Sequence, residues 1–292
     1  RDRIPYVVGR KFSMSYMVAE LIWYLAGDNS TEWISKYSAF WKNISDDGAT
    51  ANSAYGARLF KPHDKIAQGR YTQLDYVIQE LKRDPDSRRA VMHLRVPDDS
   101  IDAKLDVPCT LALQFFIRNG ALHQVANMRS SDLIFGIAYD IPAFTVFQEL
   151  IANELGVRMG TYTHTSNSLH IYERHFDMAE KIIRSGCVND SLLLQQKNGP
   201  MPPLIGGVNV IQDKVTEIYE FEAALQACDS LVDVRNTHEL TQAFSDPMFR
   251  DFATIFTAAR LRKLGYKAEA RALTATTGFS GYSFNVRRDL NV

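Results

Sequence analysis

A chain of 292 residues, 46% hydrophobic and 23% charged, holds enough apolar side chain for a sizeable core, as one large domain or two small ones, and is unlike a disordered chain. A formal net charge of -1 supplies no global positive field, which argues against nucleic acid or a membrane surface as partner and leaves small anions held by local arginines. No apolar run approaches the roughly 20 residues that cross a bilayer, and Cys109, Cys187 and Cys228 form neither a CxxC pair nor a disulfide framework, so a reducing, cytoplasmic setting is expected.

In chain order, residues 15–26 predict a helix. Met17, Leu21, Tyr24 and Leu25 recur at helical spacing, Val18 and Ile22 widen the stripe, and Gly27-Asp28-Asn29-Ser30 stops it. Glu20 is the only charge there, and either reaches the surface or is held for chemistry. A short helix capped by Ser30 or Thr31 carries Trp33. Asp46 to Ala54 reads as a polar loop leading to Tyr55-Gly56. Residues 71–83 form a helix with Leu74, Val77, Ile78 and Leu81 on one face, ended by Asp84-Pro85-Asp86-Ser87. Arg88-Arg89 then precede the strand-like Ala90 to Leu94. Such a pair is either solvated charge or a grip for an anion.

Thr110 to Arg118 and Ala121 to Met128 read as strands joined by the hairpin signal Asn119-Gly120. Asp140 to Leu155 is an amphipathic helix with Ile141, Phe144, Phe147, Leu150, Ile151 and Leu155 inward, capped by Gly156. Tyr162 to Thr165 is a short strand, and Leu169 to Ile183 a further helix. Beyond Gly186, Asn198 to Pro203 reads as linker or loop. Residues 215–228 and 246–274 read as helices without a catalytic pattern.

Cys109, after a proline and before a strand, is either a small buried hydrophobe or a nucleophile. The second use needs positive surroundings, which Arg129 or Arg88-Arg89 could supply. His164, His170 and His175 match no zinc spacing, so no metal is expected.

Together these pieces resemble the thymidylate synthase family over about residues 5–180. The stretch Ala19 to Asp28 is similar to its glutamate helix, Tyr55-Gly56 to its tyrosine-glycine loop, and Asp86-Ser87-Arg88-Arg89 to its double-arginine motif. Pro108-Cys109 is similar to its nucleophile, Arg129-Ser130 with Asp132 to its Arg-Ser-x-Asp motif, and His170-Ile171-Tyr172 to its His-x-Tyr. The resemblance implies an α+β fold, a mixed and largely antiparallel sheet flanked by helices. Residues 1–190 would be the catalytic domain and 191–292 a mostly helical extension packed on it.

Two positions depart from thymidylate synthases. Thr110 stands where they have His, and Asp140 where they have the Asn that reads uracil. Both changes resemble the deoxycytidylate or cytidylate 5-hydroxymethylase branch. Cytosine offers N4–H₂, from which a carboxylate can accept. Read without the family, Asp140 is better taken as merely the N-cap of the helix it opens.

The resemblance implies 5-hydroxymethylation of dCMP with 5,10-methylenetetrahydrofolate as co-substrate and water. Cys109 would add to C6, with Glu20 and Tyr55 moving protons. Asp140 would read the base. Arg129 and Ser130 would hold the phosphate, joined by Arg88 and Arg89 donated across a homodimer. His170 and Tyr172 would hold the sugar, and Asp132 and Trp41 the folate. A CMP hydroxymethylase of nucleoside-antibiotic biosynthesis is the alternative, a dUMP-directed methylase or hydroxymethylase a further one, and a regulator without catalysis the reading from another class. A further phosphate arginine of the family would fall before Arg1, and the chain, with no initial methionine or signal-like segment, is read as lacking its native start.

Overall fold

The computed structural model describes residues 4–5, 10, 12–62, 71–100, 104–185, 202–274 and 277. Helix α1 (Met14–Leu25) starts where the Ser13 hydroxyl accepts from the Tyr16 amide. From Met17 to Leu25 it is buried on every side. That corrects the expectation of a single apolar stripe, since a helix apolar all round belongs inside a core. Ser30 caps α2 (Thr31–Ser35), whose Trp33 indole donates to the Ala19 carbonyl at 3.1 Å. Then come α3 (Phe40–Ile44) and α4 (Tyr55–Phe60). Tyr55-Gly56 therefore open a helix rather than lie in a loop.

Helix α5 (Gln73–Arg83) begins at a capping box of Thr72 and Asp75. Strands β1 (Val91–His93), β2 (Thr110–Arg118) and β3 (Ala121–Met128) pair antiparallel in that order. Asn119 and Gly120 turn the hairpin at φ 52 and 68, as a type I′ turn requires. After the short β4 (Ser131–Asp132), helix α6 runs from Gly136 to Leu155, and Gly156 caps it at φ 65. Strand β5 (Arg158–Ser166) returns parallel to β3, giving a mixed sheet of order β1-β2-β3-β5. Strand β6 (Leu169–His170) pairs with β4. The expected helix from Leu169 is instead this strand, a 3₁₀ turn at Glu173–His175 and α7 (Phe176–Ser185).

Among the described residues four more α-helices follow: α8 (Val208–Ala227), α9 (Leu231–Glu239), α10 (Pro247–Lys263) and α11 (Lys267–Thr274). Gly265, at φ 92, separates the last two, which the sequence reads as one. Most of the expected linker, and Cys187, lie outside the described residues. The helices after residue 207 pack on the N-terminal ones. The Trp33 ring meets Tyr219 at 4.2 Å and Phe256 at 6.0 Å, and Glu222 accepts from the Tyr37 hydroxyl at 2.8 Å. One continuous core runs from Phe12 through the sheet's inner face to Ala270.

Candidate active site

Cys109 stands just before β2. The register shifts between Thr110 and Ala112, so a bulge follows the cysteine directly. The extra residue changes the alternation, and Thr110, Leu113 and Phe115 all turn inward. Thr110 is fully buried, and its hydroxyl donates to Met128 Sδ at 3.2 Å. The loop leading to Cys109 is pinned by Asp106, whose carboxylate accepts from the Ser53 amide at 2.7 Å.

Arg129 closes the other side. Its guanidinium donates to the carbonyls of Pro108 at 2.9 Å and Val107 at 3.0 Å, and its amide donates to the Cys109 carbonyl at 2.9 Å. Burial pushes the Cys109 thiol up from its ordinary value. The Arg129 charge opposes that rise, and Asp140 and Asp106 add to it.

Glu20 projects from the middle of α1 and is 7% exposed. Its Oε1 accepts from Tyr16 at 2.7 Å and Tyr24 at 3.2 Å. Burial raises its carboxyl to about 7, against the lowering effect of those two phenols. Tyr55 stacks on Tyr24 at 5.3 Å, which places its hydroxyl among Asp140, Cys109, Thr110 and Glu20. Burial, then the nearby Asp140 and Cys109, push the Tyr55 phenol well up.

Asp140 lies in the second turn of α6. Phe135 stands at the N-cap position, so the expectation that Asp140 caps the helix is corrected. Asp140-Ile141-Pro142 imitates a helix start because proline suits the first turn. Upstream, Tyr139 stacks on Phe12 at 4.8 Å and meets Tyr16 edge-on at 4.7 Å, holding the earlier turn in place. Burial, then the neighbouring Glu20, hold the Asp140 carboxyl well above the usual carboxylate range. Asp140 in turn raises the phenols of Tyr55 and Tyr162, after burial.

Ser130 Oγ lies 3.5 Å from His170 Nδ1, and the His170 and Tyr172 rings meet edge-on at 4.8 Å. The structure thus joins the Arg129-Ser130 corner to the His170-Tyr172 corner. Asp132 accepts from the Ile134 amide at 2.9 Å through Oδ1. A Cβ on Gly136 would come 3.4 Å from the Asp132 side chain and 3.9 Å from Asp140 Oδ2, so the glycine keeps the approach between the two carboxyls open. Trp41 is 6% exposed, packs edge-on against Trp23 at 5.0 Å, and donates its indole N–H to Tyr16 at 3.0 Å.

Arg88 and Arg89 are exposed beyond α5, and neither is among the groups that shift the Cys109 thiol. Arg89 Nε donates instead to Glu80 at 2.8 Å, which also accepts from Ser87 at 2.6 Å. His164 bridges Tyr162 at 2.8 Å and Ser131 at 3.1 Å. Among the described residues no group of His, Cys, Asp and Glu is placed to hold a metal, and no helix is long and apolar enough to cross a membrane.

Sequence reasoning missed Tyr16, Tyr24, Tyr139 and Tyr162. The first two carried a usable signal: they sit four residues before and after Glu20, one turn to either side.

A sequence model of the family described as thymidylate synthase matches residues 1–199. The chain is 30% identical over 178 residues to the thymidylate synthase of Bacillus phage phi3T, covering 60% of this chain and 63% of that one. It is 29% identical to the thymidylate synthase of Bacillus atrophaeus, covering 60% of this chain and 78% of that one. The chain therefore spans less than two thirds of the phage relative. The structure is similar to thermostable thymidylate synthase A from Bacillus subtilis, with TM-score 0.52 and 26% identity over 62% of this chain and 66% of that one. The matched segment holds Glu20, Tyr55, Cys109, Arg129, Asp140 and His170 within the α+β architecture that those motifs imply, and on these grounds the chain belongs to the thymidylate synthase family.

Proposed function

We propose that this protein transfers the one-carbon unit of 5,10-methylenetetrahydrofolate to C5 of a cytidine monophosphate, dCMP in preference to CMP, and completes a hydroxymethyl group with water. The observation that carries this reading is Asp140: a carboxyl, held above its usual range by burial and by Glu20, stands beside Tyr55 and Cys109.

A carboxyl whose neutral form is favoured by burial can meet cytosine in either state. A carboxyl oxygen accepts from N4–H₂ in both states, and in the neutral one the O–H can also donate to the N3 lone pair. As the Cys109 thiolate bonds to C6, electron density moves into the ring. N3 can take the Asp140 proton, leaving a carboxylate paired to N3–H. A neutral Asp140 could serve uracil too, its carbonyl accepting from N3–H and its O–H donating to O4. Discrimination therefore belongs to the ionised form, which accepts from cytosine N4–H₂ and faces the O4 lone pairs of uracil. The raised Cys109 thiol then has an account too. When Asp140 carries a proton it no longer opposes the thiolate, which leaves the Arg129 charge against burial and Asp106.

The co-substrate supplies the one-carbon unit. Asp132 suits its pterin, because only Oδ1 is used within the protein among the described residues. After C5 bonds to the transferred carbon, the C5 proton leaves by way of Tyr55 and the bond from that carbon to the folate nitrogen breaks. This releases tetrahydrofolate and leaves an exocyclic methylene; water adds to this carbon and its proton passes to Glu20. The electron pair returned to the ring expels the Cys109 thiolate and breaks S–C6. A carboxyl near 7 is suited to both giving and taking a proton at neutral pH. Arg129 and Ser130 hold the phosphate, and His170 and Tyr172 the sugar. Arg88 and Arg89 reach a second subunit's nucleotide across a homodimer. Their exposure supports this, as does the partly open sheet face bearing Thr161, Thr163 and Thr165.

The test is mass spectrometry of products from dCMP, CMP and dUMP, each with methylenetetrahydrofolate in H₂¹⁸O. The expected product is hydroxymethyl-dCMP carrying one ¹⁸O. Hydroxymethyl-CMP as the main product reassigns the sugar. Methylated dUMP without ¹⁸O overturns the reading.

A further inference from the structure

Glu20 is held from one side only. Oε1 receives both phenol hydrogen bonds, from Tyr16 at 2.7 Å and Tyr24 at 3.2 Å. Tyr16 Oη also accepts from Trp41 Nε1 at 3.0 Å. An indole N–H can only donate, so the Tyr16 hydroxyl hydrogen is left to point at Glu20. Oε2 receives no hydrogen bond among the described residues. The two oxygens of this carboxyl are therefore not equivalent.

Resting on the function proposed above, we infer that Tyr16 and Tyr24 are positioning residues that keep the Glu20 proton on Oε2, the oxygen left open for the substrate. A neutral carboxyl accepting two hydrogen bonds on Oε1 must carry its proton on Oε2. It can then give that proton without rotating. The carboxylate left behind keeps both phenol bonds, and Oε2 is the oxygen ready to take the proton of the incoming water. With two phenols bound to one oxygen, the lone pairs that could divert the proton away from the nucleotide are occupied.

The same clamp favours the charged form of Glu20 against burial. The other titratable groups that face it are Tyr55 from α4 and Asp140 from α6, while Tyr139 from α6 faces Tyr16. Tyr55 and Asp140 are unchanged in the variants below, so their contribution stays in place while the clamp is removed. Trp41 extends the chain to Trp41, Tyr16 and Glu20, so a shift of the indole would be felt at the carboxyl through one hydroxyl.

The experiment is an infrared titration of the free protein between pH 5 and 9, following the carboxylic acid C=O band that Glu20→Gln removes. Tyr16→Phe should raise the Glu20 midpoint by about one unit, the size expected for a lost hydrogen bond to a charged group. Tyr24→Phe, removing the longer bond, should raise it by less. In turnover, the limb of the kcat–pH profile that follows Glu20 should move by the same amounts while nucleotide KM holds. A tyrosine that merely fills space would leave the midpoint where it is. Midpoints unmoved or lowered in both variants overturn the clamp, even in an enzyme that converts cytidylates. Midpoints raised as expected, in a protein that does not convert cytidylates, uphold the clamp and reject the functional reading alone. If Tyr16→Phe does not fold, Tyr24→Phe carries the test.

Discussion

Asp140 and Glu20 are two carboxyls placed where ionisation is disfavoured, and each makes a separate prediction. Asp140→Asn removes the proton that cytosine N3 would take, while its amide can offer NH₂ to O4 and its carbonyl to N3–H of uracil. kcat/KM for dCMP should fall and that for dUMP rise. The ratio should shift by roughly tenfold for each 1.4 kcal/mol, a penalty of about 1–3 kcal/mol being usual for an unpaired buried group. Steady-state kinetics on both nucleotides measures it, and an unchanged ratio removes Asp140 from base recognition. Glu20 makes a stability prediction. Its carboxyl rises from 4.5 unfolded to about 7 folded, so between those values the folded state keeps a proton that the unfolded chain has lost. Stability is accordingly lost as pH climbs through that window, by about 3 kcal/mol at most. Glu20→Gln should be more stable than wild type in urea at pH 8 and close to it at pH 4.5. Equal gains at both pH values would contradict a buried, titrating Glu20.

Among the elements, the crossing of α1 and α4 carries the site, since it holds Glu20 on one helix against Tyr55 on the other. Gly56 makes that crossing possible. A Cβ there would lie 2.0 Å from the Tyr24 carbonyl oxygen and 2.4 Å from its Cα, both backbone atoms that cannot swing aside. Gly56→Ala must separate the helices. It should cost about 2–3 kcal/mol and move Tyr55 relative to Glu20, so a lower thermal midpoint and a lower kcat should appear together. A variant of unchanged midpoint would show that the crossing is slack. The bulge after Cys109 does comparable work for β2. It lets a strand whose later residues alternate inward and outward begin with a buried Thr110 beside Cys109.

For the whole molecule, the arginine pair decides between one chain and two. If Arg88 and Arg89 serve the neighbouring subunit, Cys109→Ser chains and Arg88→Ala/Arg89→Ala chains are each inactive alone. Mixed as subunits, they should recover about a quarter of wild-type sites, because half the dimers are hybrid and each hybrid holds one intact site. No recovery after verified subunit exchange would place the arginines in their own chain's site or outside catalysis. The helices after residue 207 bear on the same machinery from behind. They pack on α1 and α2 through Trp33, Tyr37, Gln212 and Glu222, and so support the helix that carries Glu20.

Residue order alone determined the local elements with strong signals. Ser30 and Gly156 mark helix ends, Asn119-Gly120 marks the hairpin, and the motifs around Glu20, Tyr55, Cys109, Arg129, Asp132 and His170 point to one family, because turn chemistry and short motifs act through neighbours in the chain. Only the tertiary structure decided the rest. The start of α6 hid behind Pro142, since the preceding turn is held by Phe12 and Tyr16 from distant sequence. Tyr55-Gly56 follow a polar loop and resemble a loop motif, and glycine disfavours a helix locally, yet the close approach of Tyr24 requires it in α4. The helix at Leu169 gave way to β6 because β4 offers it a ladder. The raised carboxyls of Glu20 and Asp140 were equally invisible in the sequence, because desolvation depends on what the whole fold packs around a group.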